Sequence, residues 1–178
     1  SSVTTSGALP ALLPGYRVLI ADGNHFPATE RRLKGLRGQN VAPLPGHAVV
    51  LLDPAWMLAV DVFHCPDGHA SERTLLPPLL ETLRSKDLLV ADRNFCTTNF
   101  LWDIADRKAF FLIRQHASSL KCELMGRRKV VGRIATGLVY EQPLRIFGRN
   151  GQTRTIRRVT IVLDKPTTDG DREIHVLT

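Results

Sequence analysis

Tyr16-Arg17-Val18-Leu19-Ile20-Ala21-Asp22-Gly23 and Leu88-Leu89-Val90-Ala91-Asp92 are the two stretches whose reading decides the fold. Each is a short, largely apolar run that stops at an aspartate, and runs of this length bounded by turn signals predict buried strands. Ends of strands in an α/β sheet gather at one edge, the usual place for a site. Two carboxylates fixed there by rigid strands are suited to share divalent cations. Magnesium in particular favours few protein carboxylates, completed by water and phosphate oxygens. Two such ions roughly 3.5–4 Å apart can activate an attacking oxygen and stabilise a leaving one in phosphodiester cleavage. A local reading stays open beside this one: Asp22-Gly23 is a common turn, and Asp92-Arg93 forms a surface ion pair.

Outward from these runs, Pro27 to Arg37 reads as a helix with Leu33 and Leu36 on one face and Gly38 as its stop. Leu44-Pro45-Gly46 punctuates the chain before a strand at His47–Asp53, and Met57–Phe63 is expected to pair with it as a hairpin. Ser71 is placed to cap a helix running towards Arg84. Pro77-Pro78 in its middle predicts a kink or a later start, since an interior proline costs about 3 kcal/mol. Thr97 or Thr98 caps a helix through Arg107, and Ala109–Ile113 is a fifth strand. The order β, α, β, β, α, β, α, β predicts a mixed α/β domain. Beyond Gln115, Val130–Tyr140, Leu144–Phe147 and Arg154–Leu163 alternate apolar with basic residues, as half-exposed strands do with arginines on the wet face. Turns are expected at Gly137, Gly148 and Asn150-Gly151, with a polar loop at Lys165–Asp171 and a last strand at Glu173–Leu177. Phe95, Trp56 and Trp102 are assigned to packing.

The chain has 178 residues and a formal net charge of +7. Its 43% hydrophobic and 23% charged residues are ordinary globular values, which exclude a disordered or fibrous chain. No apolar run approaches the roughly 18 residues a membrane span needs. Ser1–Gly15 has no positive charge and is broken by Pro10 and Pro14, so it does not read as a signal peptide; the absence of an initiator Met points to a piece of a longer chain. Cys65, Cys96 and Cys122 form no CxxC pair, which argues against a disulfide scaffold and fits a reduced, intracellular setting. His64-Cys65 is the one neighbouring pair with any metal-ligand character. The positive charge is concentrated. Lys121 to Arg158 holds ten basic residues, most of them arginine, against Glu123 and Glu141, for a segment charge of +8. Such a segment is either a solvated basic face or the footprint of a nucleic-acid surface, to which arginine's planar fork is suited. Arg127, Arg128 and Lys129 form its densest run, followed by Arg154, Arg157 and Arg158, with Arg133 and Arg149 as further phosphate contacts and Arg93 as one beside Asp92.

Asp22-Gly23-Asn24-His25, with Glu30-Arg31-Arg32-Leu33-Lys34 and Leu44-Pro45-Gly46 after it, resembles the first catalytic block of DDE transposases of the bacterial insertion-sequence-four type. Asp92-Arg93-Asn94-Phe95-Cys96-Thr97 is similar to their second block. Asp67-Gly68-His69-Ala70 with Glu72-Arg73, and Phe111-Leu112-Ile113-Arg114-Gln115, stand where that family has similar segments. The resemblance runs from about Tyr16 to the end of the chain.

It implies a ribonuclease-H-like mixed sheet with flanking helices and a β-rich insertion. Residues 1–15 would be a lead-in, 16–116 the catalytic core, 117–170 the basic insertion and 171–178 the start of the final core strand. It also implies Mg2+ or Mn2+ as cofactor and transposon-end and target DNA as partners. The chemistry would be cleavage and strand transfer by metal-dependent phosphoryl transfer, often through a hairpin intermediate. A homodimer in the active complex and a cytoplasmic, nucleoid-associated location in a bacterium are expected. Asp22 and Asp92 would be the first two catalytic, metal-holding aspartates. The third ligand should be a glutamate in a Tyr-x-x-Arg-x-x-x-Glu pattern, which does not occur here. The expectation is therefore a C-terminal truncation, a site completed by a glutamate outside the chain, and a fragment inactive alone. Asp67 and Glu72 read as acids at a helix N-terminus, and Asp103 and Asp106 as solvated helix residues. The alternatives are a non-catalytic DNA-binding relative and a metal-dependent nuclease on the same fold.

Overall fold

The computed structural model describes residues 11–25, 47–65, 71–116, 120–148 and 151–178. The expected helix at Pro27–Arg37, the Leu44-Pro45-Gly46 turn, Asp67 and Arg149 lie outside them.

Among the described residues ten strands form one sheet: β1 (Arg17–His25), β2 (His47–Asp53), β3 (Leu58–His64), β4 (Asp87–Ala91), β5 (Phe110–Arg114), β6 (Cys122–Leu124), β7 (Lys129–Ile134), β8 (Gly137–Phe147), β9 (Thr153–Leu163) and β10 (Glu173–Leu177). Their order is β3-β2-β1-β4-β5-β10-β9-β8-β6, with β7 also on β8. β1, β4 and β5 are mutually parallel, and every other pairing is antiparallel. The hairpin of β2 with β3 is present, with Val50 opposite Val62 and an irregularity at Leu51/Leu52. The basic strands are continuous with the rest of the sheet, because β10 bridges β5 and β9.

Two helices, α1 (Leu76–Thr82) and α2 (Thr98–Asp106), make the crossovers into β4 and β5. Ser71 caps a 3-10 turn at Glu72–Leu75 rather than an α-helix, accepting from the Arg73 amide. Pro77 and Pro78 fall in the first turn of α1, where a missing N–H breaks no helical bond. Thr97 caps α2 by accepting from the Phe100 amide. Both helices cover the same side of the sheet: Leu79, Leu80, Phe100, Leu101 and Ile104 pack on Leu19, Ala21, Val49, Leu51, Leu89, Phe111 and Ile113.

The opposite side of β1–β5 differs from the fully buried strands expected. Val18, Ile20, Leu88 and Val90 are half-buried, while Val60, Val62, Phe110 and Leu112 are exposed. The runs are apolar on both sides, yet the described residues cover only one. Phe95 is in the core as expected. Trp56 is not: it is 51% exposed, on the turn between β2 and β3. Trp102 is half-buried and lies beneath the Arg154 guanidinium, 4.6 Å from the ring centre. Val130–Tyr140 is two strands, β7 and β8, because the chain reverses at Ala135-Thr136, one step before the expected Gly137.

Candidate functional site

The register of the two central parallel strands sets the geometry. Ala21 of β1 stands beside Ala91 of β4. Asp22 and Asp92 are the next residue on each, and Asp92 keeps an extended backbone (φ −78°, ψ −177°). Neighbouring strands lie about 4.8 Å apart, so the two aspartates are neighbours across the sheet. Asp92 is just past the end of β4, and Asp22 is inside β1, which does not stop at the expected Asp22-Gly23 turn but runs on to His25 because β2 pairs with it there, Asp22 opposite Val50. Ala21 and Ala91 point into the helix-covered core, at 2% and 9% exposure. Alternation then turns Asp22 to the uncovered side, where it is exposed, and Asp92 is exposed as well. One carboxylate oxygen of Asp92, Oδ1, accepts from the Asn94 amide at 2.9 Å and caps the 3-10 turn Arg93–Phe95. Arg73 holds that turn from the other side, donating from Nε to the Asn94 carbonyl at 3.2 Å.

Gly23 has a close neighbour that the sequence did not reveal. The Glu72 carboxylate lies where its Cβ would stand, with Oε2 2.5 Å from that position. Glu72 does open the 3-10 turn as an N-terminal acid. Its carboxylate meets the helix side of β1, whereas Asp22 faces the other way.

Among the described residues no group of three His, Cys, Asp or Glu side chains is placed to hold a metal. His64 and Cys65 are not a metal pair, because His64 is exposed on β3 and Cys65 is 1% exposed in the core. No disulfide joins the cysteines. Burial pushes the Cys96 and Cys122 thiols up, which keeps both in the neutral form.

A model of the family described as "Transposase DDE domain" matches residues 13–168. The chain belongs to the transposase DDE domain family. Among curated proteins none matches the chain. The family carries out transposition-related DNA cleavage, acts on DNA and generally uses divalent metals. The described residues of this transposase domain include no helix long and apolar enough to cross a membrane.

The basic segment divides by partner. Arg128 pairs with Glu173 at 3.0 Å and stacks over Tyr140; Arg133 pairs with Asp164 at 2.5 Å; Arg154 pairs with Asp106 at 2.7 Å. Asp106 is therefore an ion-pair partner as well as an exposed helix residue. Arg157 is 3.8 Å from Glu141, and Arg145 is 3.0 Å from Glu123. Arg127 and Lys129 are exposed. Arg158 is half-buried, turned to the opposite side of β9 from Arg157, so the arginines of that strand do not share one wet face.

Register also connects the aspartates to this segment. Ala91 is beside Ile113, which places Asp92 level with Arg114. Arg114 pairs with Val176, Val176 with Val159, Val159 with Glu141, and Glu141 with Lys129. Asp92 and Lys129 thus belong to one cross-sheet row, five strand spacings or about 24 Å apart. The adjoining row on the same side ends in Arg157 and Pro143, which with Arg127, Lys129 and Met125 line an open cavity of about 650 Å³.

Proposed function

We propose that this chain is the catalytic portion of a DNA transposase of the insertion-sequence-four type, on a ribonuclease-H-like sheet, and that Asp22 and Asp92 hold its divalent metal. The observation carrying the reading is the Ala21–Ala91 register, after which two exposed aspartates, one within β1 and one just past the end of β4, are neighbours on adjacent parallel strands. The donor set fits magnesium or manganese: hard oxygens on rigid elements, few in number, open to water and phosphate. Asp92 is oriented by its Oδ1 bond to the Asn94 amide, which leaves Oδ2 available. Water and phosphate oxygens would complete the ligand set. Bound divalent ions would supply Lewis-acid stabilisation at the scissile phosphate and lower the pKa of the attacking oxygen.

The protein's own residues set where the DNA lies. Arg127, Lys129 and Arg157 share the uncovered side of the sheet with Asp22 and position backbone phosphates there. A span of about 24 Å corresponds to about seven nucleotides of one strand at 3.4 Å each. Manganese binding by the chain, followed by electron paramagnetic resonance, tests the assignment. Wild type should bind, and Asp22→Asn and Asp92→Asn should each weaken binding by tenfold or more. Unchanged affinity in both variants would refute it.

A further inference from the structure

Beside the turn that follows Asp92, at the end of β5, lies a second cavity of about 450 Å³, lined from both sides of the sheet. Arg93, Arg114, Gln115, His116, Arg158 and His175 contribute to its lining. Asp171 and Glu173 stand at it too, but each is paired, with Arg114 at 2.7 Å and with Arg128 at 3.0 Å. That leaves Arg93, which is exposed, and Arg158, which is not.

Arg158 is the informative residue. Its Nη2 donates to a neutral acceptor, Gln142 Oε1, at 3.3 Å, and the carboxylate whose charge it feels, Glu173, is ion-paired to Arg128 instead. Desolvation lowers its pKa, the sign that its charge is held at a cost. Among the described residues, two buried side-chain polar atoms have no hydrogen-bond partner: Arg158 Nε and Gln115 Oε1. Both residues line this cavity. Buried donors without acceptors are rare in folded proteins and ask for a missing partner. A desolvated guanidinium asks for an anion, and a planar fork matches tetrahedral phosphate oxygens. At about 30 Å³ per water, the cavity has room for a phosphate with several hydrating waters.

We propose that this cavity binds a backbone phosphate of the DNA, with Arg93 and Arg158 as its charged ligands. It would anchor the strand one residue from Asp92. The assignment of the anion to DNA rests on the transposase reading above; the pocket's affinity for phosphate does not.

The test uses the whole chain and two probes in the presence of EDTA. Inorganic phosphate is titrated and followed by 31P line broadening, against wild type, Arg93→Ala, Arg158→Gln and, as a surface control, Lys165→Ala. Arg93→Ala and Arg158→Gln should each weaken phosphate binding about tenfold, the effect of one charge-assisted hydrogen bond, and Lys165→Ala should not. A 15-base-pair duplex is then titrated at several salt concentrations. Arg93→Ala should reduce the log–log salt slope by about 0.9, one phosphate's share. Arg93→Ala alone suffices if Arg158→Gln does not fold. Phosphate binding that is absent, or equal in wild type and both variants, overturns the pocket even if the duplex binds. Phosphate binding lost in the variants with an unchanged duplex slope overturns the DNA assignment. A chain that binds phosphate through these arginines but no duplex at all overturns that assignment and counts against the transposase reading.

Discussion

Asp92 has two jobs that substitutions can pull apart. Its Oδ1 caps the 3-10 turn through the Asn94 amide, and its charge is what a metal would use. Asparagine is an equally good N-cap and carries no charge, whereas alanine removes both functions. Without metal, Asp92→Asn should therefore match or slightly exceed wild-type stability. It keeps the cap and relieves a like-charge neighbour about one strand spacing away, a repulsion of under about 1 kcal/mol in a watery setting. Asp92→Ala should lose about 1 kcal/mol, the usual value of a cap. With metal the order reverses: at a concentration ten times Kd, wild type gains about 1.4 kcal/mol from ligand linkage, and neither variant follows. Urea unfolding at pH 7 with EDTA and then with manganese measures all of these values. If Asp92→Asn gains as much from manganese as wild type, Asp92 does not hold the ion and the argument from strand register fails. If Asp92→Asn falls as far as Asp92→Ala in EDTA, the capping account is wrong.

Three further outcomes follow from the packing. A Cβ at Gly137 would collide with the Val162 carbonyl, which is backbone on the paired strand, whereas one at Gly23 meets only the far end of Glu72. Gly137→Ala should therefore lower stability by about 2 kcal/mol or more, and Gly23→Ala by under about 1, in chemical denaturation. Asp53 is 4% exposed and accepts from Arg17 Nε and from the Ala55 amide, both at 3.1 Å. Asp53→Ala strands the arginine and should cost about 2 kcal/mol, below the range for fully buried pairs because Arg17 is partly exposed, while Asp53→Asn should recover part of that loss. His175 is held below its ordinary value of 6.5, first by burial and then by Arg158, with Arg128 adding to the shift and Glu173 opposing it. A lowered pKa means the unfolded chain takes up the proton first. Stability should thus be full above about pH 6.5 and fall as the pH drops towards the folded value, a dependence that His175→Gln should flatten.

The amino-acid sequence by itself determined the elements and their punctuation. His47–Asp53 and Glu173–Leu177 are strands with the bounds their pattern predicts, and Thr97 caps α2 as its hydroxyl and position require. These are local properties: period-two alternation, capping chemistry and proline's missing N–H act within a few residues. The two aspartates were also legible, as polar ends of apolar runs.

That Asp22 and Asp92 stand next to each other was not, because adjacency depends on which strands pair, and β1 skips past β2 and β3 to find β4. The same holds for the charge. Counting arginines located a basic segment, but only the assembled sheet shows Arg128, Arg133 and Arg154 held by carboxylates from distant positions. Arg157 and Arg158 are neighbours in the chain, yet the pleat sends one to the aspartate side and the other to the helix-covered side. Side-chain period is fixed by covalent geometry and can be read one residue at a time. Partnership depends on long-range pairing and on which side of the sheet the helices cover, and this is set only when the whole sheet forms.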